Sequence, residues 1–275
     1  MKKIIACTDF SANAKSAVEY AFELAQHYKA SLTILHSYLI PIPVSEVPPS
    51  QEIFEVTRKE AEEQMKILVE QLQSQNENKI EIIPRIENEN LILSLEELIK
   101  EAVPDLIVIG TRGERDVIDV VVGSNTLKVL NHFTLPVLVV PLNAHFKPLS
   151  KIGFACDFSK VVQTTPVDLI RKLVTDFNAE LHVLNADYKN KHFNVNTPEE
   201  SMLLDHLLFK LKPHYHFLEG KETDLLIEQY AEKNNLDLLI TIPKNHGFFE
   251  RFFKGTNTRR FIYHTHTPLL CVHEK

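Results

Sequence analysis

The sequence predicts an α/β fold built twice in tandem, each copy a parallel sheet with helices on both faces. Three observations predict it. The segment K-I-I-A-C-T-D-F-S at 3–11 returns as K-I-G-F-A-C-D-F-S at 151–159. The segment G-S-N-T-L-K-V-L-N-H-F-T-L-P-V-L-V-V at 123–140 returns as G-T-N-T-R-R-F-I-Y-H-T-H-T-P-L-L-C-V at 255–272, with K-A-S-L-T-I-L-H (29–36) and N-A-E-L-H-V-L-N (178–185) between them. Short, almost continuous apolar runs also alternate with stretches of helical periodicity, the pattern of a parallel sheet buried on both sides. Segments that return in the same order mark a duplication. The expected domains are 1–145 and 146–275, joined by a linker at 143–150 that contains Asn143 and Pro148. The offset between copies shrinks from 148 to 132, so the second copy is shorter in its middle.

Each element of the first copy has a local signature. Ile4–Cys7 reads as a buried strand. Ala14, Ala17, Val18, Ala21, Leu24, Ala25 and Tyr28 recur at helical spacing behind Ser11, which is placed to cap the helix. Leu32–Leu35 is a second strand, followed by a proline-rich stretch with Pro41, Pro43, Pro48 and Pro49. Ala61, Met65, Leu68 and Leu72 mark one face of a long polar helix, and Ile80–Ile83 a third strand. Leu91, Leu95, Leu98 and Ala102 give a third helix, Leu106–Ile109 a fourth strand, 124–132 a fourth helix and Val137–Val140 a fifth strand. The second copy repeats this order, with an irregular stretch at 186–198 and a short second helix expected.

Composition narrows the class. Hydrophobic residues make up 44% and charged residues 24% of the 275, as in soluble globular proteins. No apolar run is long enough for a membrane span, and Thr8 and Asp9 interrupt the first apolar run too early for a signal peptide. Three scattered cysteines, Cys7, Cys156 and Cys271, suit a reducing cytoplasm. Residues 1–145 carry 13 Lys and Arg against 21 Asp and Glu, and residues 146–275 carry 17 against 16. An acidic first half argues against nucleic acid, whose binding needs clustered cations.

One loop carries chemistry. Gly110-Thr111-Arg112-Gly113 follows the fourth strand, and after nine intervening residues Gly123-Ser124 opens the next helix. Glycines allow close approach of a backbone to a phosphate, and a helix start offers unpaired N–H groups at the positive end of a dipole. Ser124 adds a hydroxyl and Asn125 an amide beside it. This predicts a phosphate cradle at the carboxyl ends of the strands, where open α/β sheets bind ligands. Arg112 either neutralises phosphate or pairs with Asp116 or Asp119. Asp9 ends the first strand in the same crevice if strands one and four are neighbours. Two roles stand for it, a ribose acceptor and a helix cap.

These residues make the chain similar to the universal stress protein family, twice over. Gly110, Gly113, Gly123 and Ser124 match the family's Gly-x2-Gly-x9-Gly-[Ser/Thr], and C-T-D-F-S resembles its first-strand motif, with Cys7 where proline is common. The resemblance implies five-stranded parallel sheets ordered 3-2-1-4-5. It also implies ribose and adenine contact at Asp9, a base lying against the backbone at His36 and Ser37, and association through the fifth strand.

The second copy departs from the motif. Ile242 stands where Gly110 does and Asn245 where Gly113 does, so only Gly255-Thr256 survives, although Asp157 remains. Lys244, Arg251, Lys254, Arg259 and Arg260 cluster near it, either as a solvated face or as a site for another anion. Nine of the 13 histidines fall in this half, including His214-x-His216 and His264-x-His266, but with no third ligand at a supporting spacing no metal site is assigned. No Walker loop or catalytic elbow is present in the sequence.

The expected protein is therefore a cytoplasmic, ATP-binding regulatory or stress-response protein. Its nucleotide, with magnesium as accompanying ion, sits in the first half and alters a surface seen by a protein partner. It is read as a non-enzyme. A slow ATPase or phosphotransfer enzyme and a non-binding scaffold are the alternatives. The two halves are expected to pack as an intramolecular pseudo-dimer with a sheet each, a homodimer being a further arrangement.

Overall fold

The computed structural model describes residues 1–40, 51–111, 124–158, 160–187, 197–221, 223–242 and 267–273. The first half runs β1 (Lys3–Thr8), α1 (Ala12–Tyr28), β2 (Ser31–Ser37), α2 (Gln51–Ser74), β3 (Ile82–Glu87), α3 (Leu91–Ala102), β4 (Leu106–Gly110), α4 (Ser124–His132) and β5 (Val137–Val140). The second half runs β6 (Lys151–Ala155), α5 (Val161–Thr164), α6 (Val167–Phe177), β7 (Glu180–Asp187), α7 (Thr197–Leu208), β8 (His214–Glu219), α8 (Thr223–Lys233), β9 (Leu238–Thr241) and β10 (Leu269–Cys271).

Among the described residues the strands form one ten-stranded sheet, ordered β3-β2-β1-β4-β5-β10-β9-β6-β7-β8. Each half thus has the order 3-2-1-4-5 of parallel strands. The expectation of two separate sheets is corrected: the halves join edge to edge. The joint is antiparallel, with Leu269 opposite Val139, Leu270 opposite Leu138 and Cys271 opposite Val137. Leu138 and Leu270 are the same position in the two copies, so the pseudo-two-fold axis passes through that pair. Each copy offers the same surface to the other, as in an isologous interface.

Three cores cover the sheet. On one face a single core runs through both halves, from Val18 of α1 and Met65 of α2 across Leu138 and Leu270 to Ile170 of α6 and Leu204 of α7. On the other face α3 and α4 pack on the first half through Leu95, Leu98, Val129 and Leu130. There α8 packs on the second half through Ile227 and Ala231. A fully buried aliphatic side chain contributes about 1.5–3 kcal/mol, so these continuous apolar strands hold both layers. The 143–150 segment joins the shared core, with Ala144 and Leu149 buried.

The boundaries of α3, α4 and β5 fall where the periodicity puts them. The third strand differs. Ile80 is buried but precedes the ladder, and β3 runs on through Pro84 to Glu87. Because β3 is an edge strand, a proline there costs no ladder bond on its open side. As expected for the second copy, α7 is short, 12 residues against 24 in α2.

Candidate functional site

Strands β1, β2 and β4 end side by side at the point where the strand order reverses, the place where open α/β sheets form a ligand crevice. Ala6 lies opposite Val108 in the β1–β4 ladder, so two residues further on Thr8 and Gly110 end their strands side by side. The chain leaves β1 through a tight turn. The Phe10 N–H donates to the Thr8 hydroxyl at 3.0 Å, and Phe10 itself is left-handed at φ 64°. The Asp9 carboxylate accepts from the Ser11 N–H at 3.0 Å, an Asx turn that holds it at the rim, where it is exposed. Ser11, as expected, is the helix cap, its hydroxyl accepting from the Ala14 N–H at 3.2 Å. Asp9 is therefore not the N-cap of α1; it shapes the turn that precedes the cap.

His36 and Ser37 close β2 beside this turn, both half-buried. The His36 Nδ1–H donates to the Thr8 carbonyl at 2.9 Å, which fixes the tautomer, since a carbonyl only accepts. Burial holds the His36 imidazole below the ordinary histidine range, against the opposing pull of the Thr8 bond and the Asp9 charge. Its ring stands 4.4 Å from that of Phe10 and 5.9 Å from that of Tyr38, giving an aromatic wall. Phe10 and Tyr38 were not singled out from the sequence. The signals were there: Phe10 adjoins Asp9, and Tyr38 follows His36 at the alternate position that shares a strand face.

At the end of β4, Gly110 has a packing role that was not expected. A Cβ there would lie 2.8 Å from the Asn13 carbonyl oxygen and 3.0 Å from its carbon, so the glycine admits the first turn of α1. Positive φ is not needed, since no described glycine has it. The Thr126 hydroxyl donates to the Gly110 carbonyl at 2.8 Å and ties the start of α4 to the end of β4. Ser124 and Asn125, the first residues of α4, are exposed there. Arg112, Gly113 and Gly123 lie outside the described residues. Of the cysteines, Cys7 and Cys271 are fully buried and burial pushes both thiols up, Cys7 to about 12, so neither is a thiolate near neutrality.

A sequence model of the Universal stress protein family matches residues 1–141. This chain belongs to the universal stress protein family. Among solved structures, a universal stress protein from Archaeoglobus fulgidus DSM 4304 is similar over 99% of this chain and 96% of its own, at 17% identity and a TM-score of 0.69. A putative universal stress protein from Pseudomonas aeruginosa UCBPP-PA14 is similar over 100% of this chain and 94% of its own, at 13% identity and a TM-score of 0.60. At such identities the likeness is one of fold. None of the curated proteins matches.

The second half rebuilds the same junction without the glycine. Asn185 takes the place of His36 and donates to the Cys156 carbonyl at 2.9 Å, and the Phe158 N–H points at the Cys156 sulfur at 3.4 Å. Ile242, in the place of Gly110, is buried and lines a cavity of about 50 Å³ with Ala155, Cys156, Asp157 and Thr241. Pockets for drug-sized ligands measure about 300–1,000 Å³. The Val161 N–H at the start of α5 donates to the Glu200 carboxylate of α7 at 2.8 Å, so this half supplies its own anion at that helix start.

Among the described residues no helix is long and apolar enough to cross a membrane, and no three His, Cys, Asp or Glu side chains converge on one metal position.

Proposed function

We propose that the first half, residues 1–145, holds ATP in the crevice at the ends of β1, β2 and β4. On this reading the protein is a cytoplasmic, regulatory member of the stress-response family, in which the bound nucleotide alters a surface that a partner reads. The second half, residues 146–275, keeps the fold and not the ligand. The observation that carries the reading is the adjacency of β1 and β4. It sets the exposed Asp9 carboxylate beside the strand end from which the glycine motif departs, with α4 anchored there by Thr126.

The donor set fits a nucleotide. Asp9 offers an acceptor to ribose hydroxyls, and the His36–Ser37 strand end with its aromatic wall offers a flat, half-buried surface to a base. Gly113, Gly123, Ser124 and Asn125 offer donors to phosphate oxygens, with Arg112 as the nearby cation. Magnesium would accompany the phosphates and neutralise part of their charge. No lysine follows the glycines to meet a terminal phosphate, which favours binding and regulation over turnover. A slow ATPase is the second reading; release of phosphate from ATP and magnesium well above background would favour it.

Asp9→Ala is the deciding experiment. A hydrogen bond to a charged group is worth about 1.5–3 kcal/mol, so ATP affinity measured by calorimetry should fall roughly ten- to a hundred-fold. Inorganic triphosphate, which lacks the sugar, should bind wild type and variant alike. An equal loss for both ligands would make Asp9 a loop or metal residue and overturn the ribose assignment.

A further inference from the structure

The pair His214-x-His216, without a third partner in its own stretch of sequence, finds one across the sheet. His182 of β7 lies opposite His214 of β8 in the ladder. Its ring centroid stands 5.3 Å from that of His214 and 5.2 Å from that of His216, the latter nearly parallel at 15°. His182 Nδ1 lies 3.1 Å from His216 Nε2 and 3.3 Å from the Tyr230 hydroxyl of α8. A centroid separation so close to the nitrogen–nitrogen distance plus two ring radii means that the rings meet head to head. That is the geometry of an N–H···N bond, with one proton between two nitrogens. It is not the geometry of two lone pairs aimed at a common metal, in keeping with the lack of a metal cluster among the described residues.

Such a pair counts protons. Two neutral imidazoles carry one ring proton each, and the bond forms. A third proton is accommodated on the outer nitrogen that the tautomer leaves bare, His182 Nε2 or His216 Nδ1. A fourth sets two N–H groups against each other at 3.1 Å and gives both rings positive charge. The other charged or titratable groups around His182 are His214 from β8, Tyr230 from α8, Lys151 from β6 and Glu180 on its own strand, 3.5 Å from Nε2. Only Glu180 favours a cation there, and its side chain is 59% exposed, so solvent screens it. His182 is only 8% exposed.

We propose that this cluster is a proton-sensitive latch, which holds β8 and α8 to β7 near neutral pH and releases them on acidification. Burial, reinforced by the neighbouring rings, holds both His182 and His216 below the ordinary histidine range. The unfolded or opened segment therefore binds more protons as pH falls through about 6.5, the ordinary value. Release favours the open edge at low pH and the closed edge at high pH. β8 is the outer strand of the sheet, and α8 begins at Thr223 on the wall of the second half's cavity, so the latch reaches from the sheet edge to that crevice. The first half has no counterpart: by ladder register its residues at these positions are Thr33, Ile83 and Arg85.

Hydrogen exchange of the full chain, read by mass spectrometry at pH 7.5 and 5.5 and corrected for intrinsic rates, tests this. Peptides covering β8 and α8 should lose roughly tenfold or more in protection, the effect of one unit of proton linkage. Those covering β3, at the opposite edge, should not. H216Q keeps a neutral hydrogen-bonding side chain and should flatten the dependence. No loss in wild type, an equal loss at β3, or an undiminished loss in H216Q each overturns the latch. Should H216Q fail to fold, imidazole nitrogen spectra of the wild-type chain decide. Two steps of proton uptake separated in pH support the shared proton, and simultaneous uptake near the ordinary value overturns it.

Discussion

The two halves solve the passage from first strand to first helix differently, and the contrast goes with two positions, Gly110 against Ile242 and the helix-breaking Pro166 of the second half. In the first half Gly110 lets the backbone of α1 approach β4 so closely that a Cβ would meet Asn13 at 2.8 Å. Helix α1 accordingly runs unbroken for 17 residues under a serine cap. In the second half Ile242 stands at that position and is buried. The corresponding helix is split into α5, four residues long, and α6, with Thr165 and Pro166 between them, and neither start has a side-chain cap of its own. A glycine chosen for a phosphate and one chosen for a helix are the same letter, and here one position serves the packing whatever it does for a ligand.

Placing the second half's residue in the first should break the contrast most strongly. Gly110→Ile forces a branched side chain into backbone, and overpacking of this kind costs about 3 kcal/mol. Urea denaturation should show that loss, and tolerance within 1 kcal/mol would mean that α1 shifts at little cost. Next in size is the comparison of Gly113→Val with Asn245→Val. The first should weaken ATP binding at least tenfold, about 1.4 kcal/mol, and the second should leave it unchanged. Equal effects would contradict a single working site. Ser11→Ala removes the cap bond to the Ala14 N–H and should cost about 1 kcal/mol in thermal or chemical unfolding.

The smallest effect is a matter of pH. His36 is held below the ordinary histidine range, so the unfolded chain binds more protons between that depressed value and about 6.5. Its contribution is fully present above this window and is lost as pH falls through it. His36→Asn installs the residue that makes the same carbonyl bond in the second half, as Asn185 does to Cys156. The variant should keep the fold and show a smaller drop in melting temperature between pH 7.5 and 5.5 than wild type.

Much of this was readable from the chain. Apolar runs such as Leu106–Ile109 and Val137–Val140 have the length and continuity of buried parallel strands, and the repeats gave the strand sequence twice. Of the candidate site, the placement of Asp9 and Gly110 at neighbouring strand ends was readable, while Gly113 and Gly123 lie outside the described residues. Three things were hidden. The family resemblance implied association through the fifth strand, but the direct pairing of β5 with β10 rests on main-chain bonds between two equally apolar runs, which no side-chain pattern distinguishes from separate sheets. The purpose of Gly110 depends on Asn13, almost a hundred residues away in the chain. His182 joins His214 only through the register of two strands.

The joint between Leu138 and Leu270 has a further consequence. Two identical subunits that meet through such a strand must change together, because one gene writes both sides. Here the two sides are written separately and remain tethered, so neither dilution nor exchange of partners can separate them. A substitution in one crevice leaves its counterpart untouched, while the shared sheet continues to demand only backbone and apolar bulk. Glycine at 110 and isoleucine at 242 can therefore persist in one molecule, and on the proposed reading its ligand stoichiometry is a property of the gene rather than of the assembly.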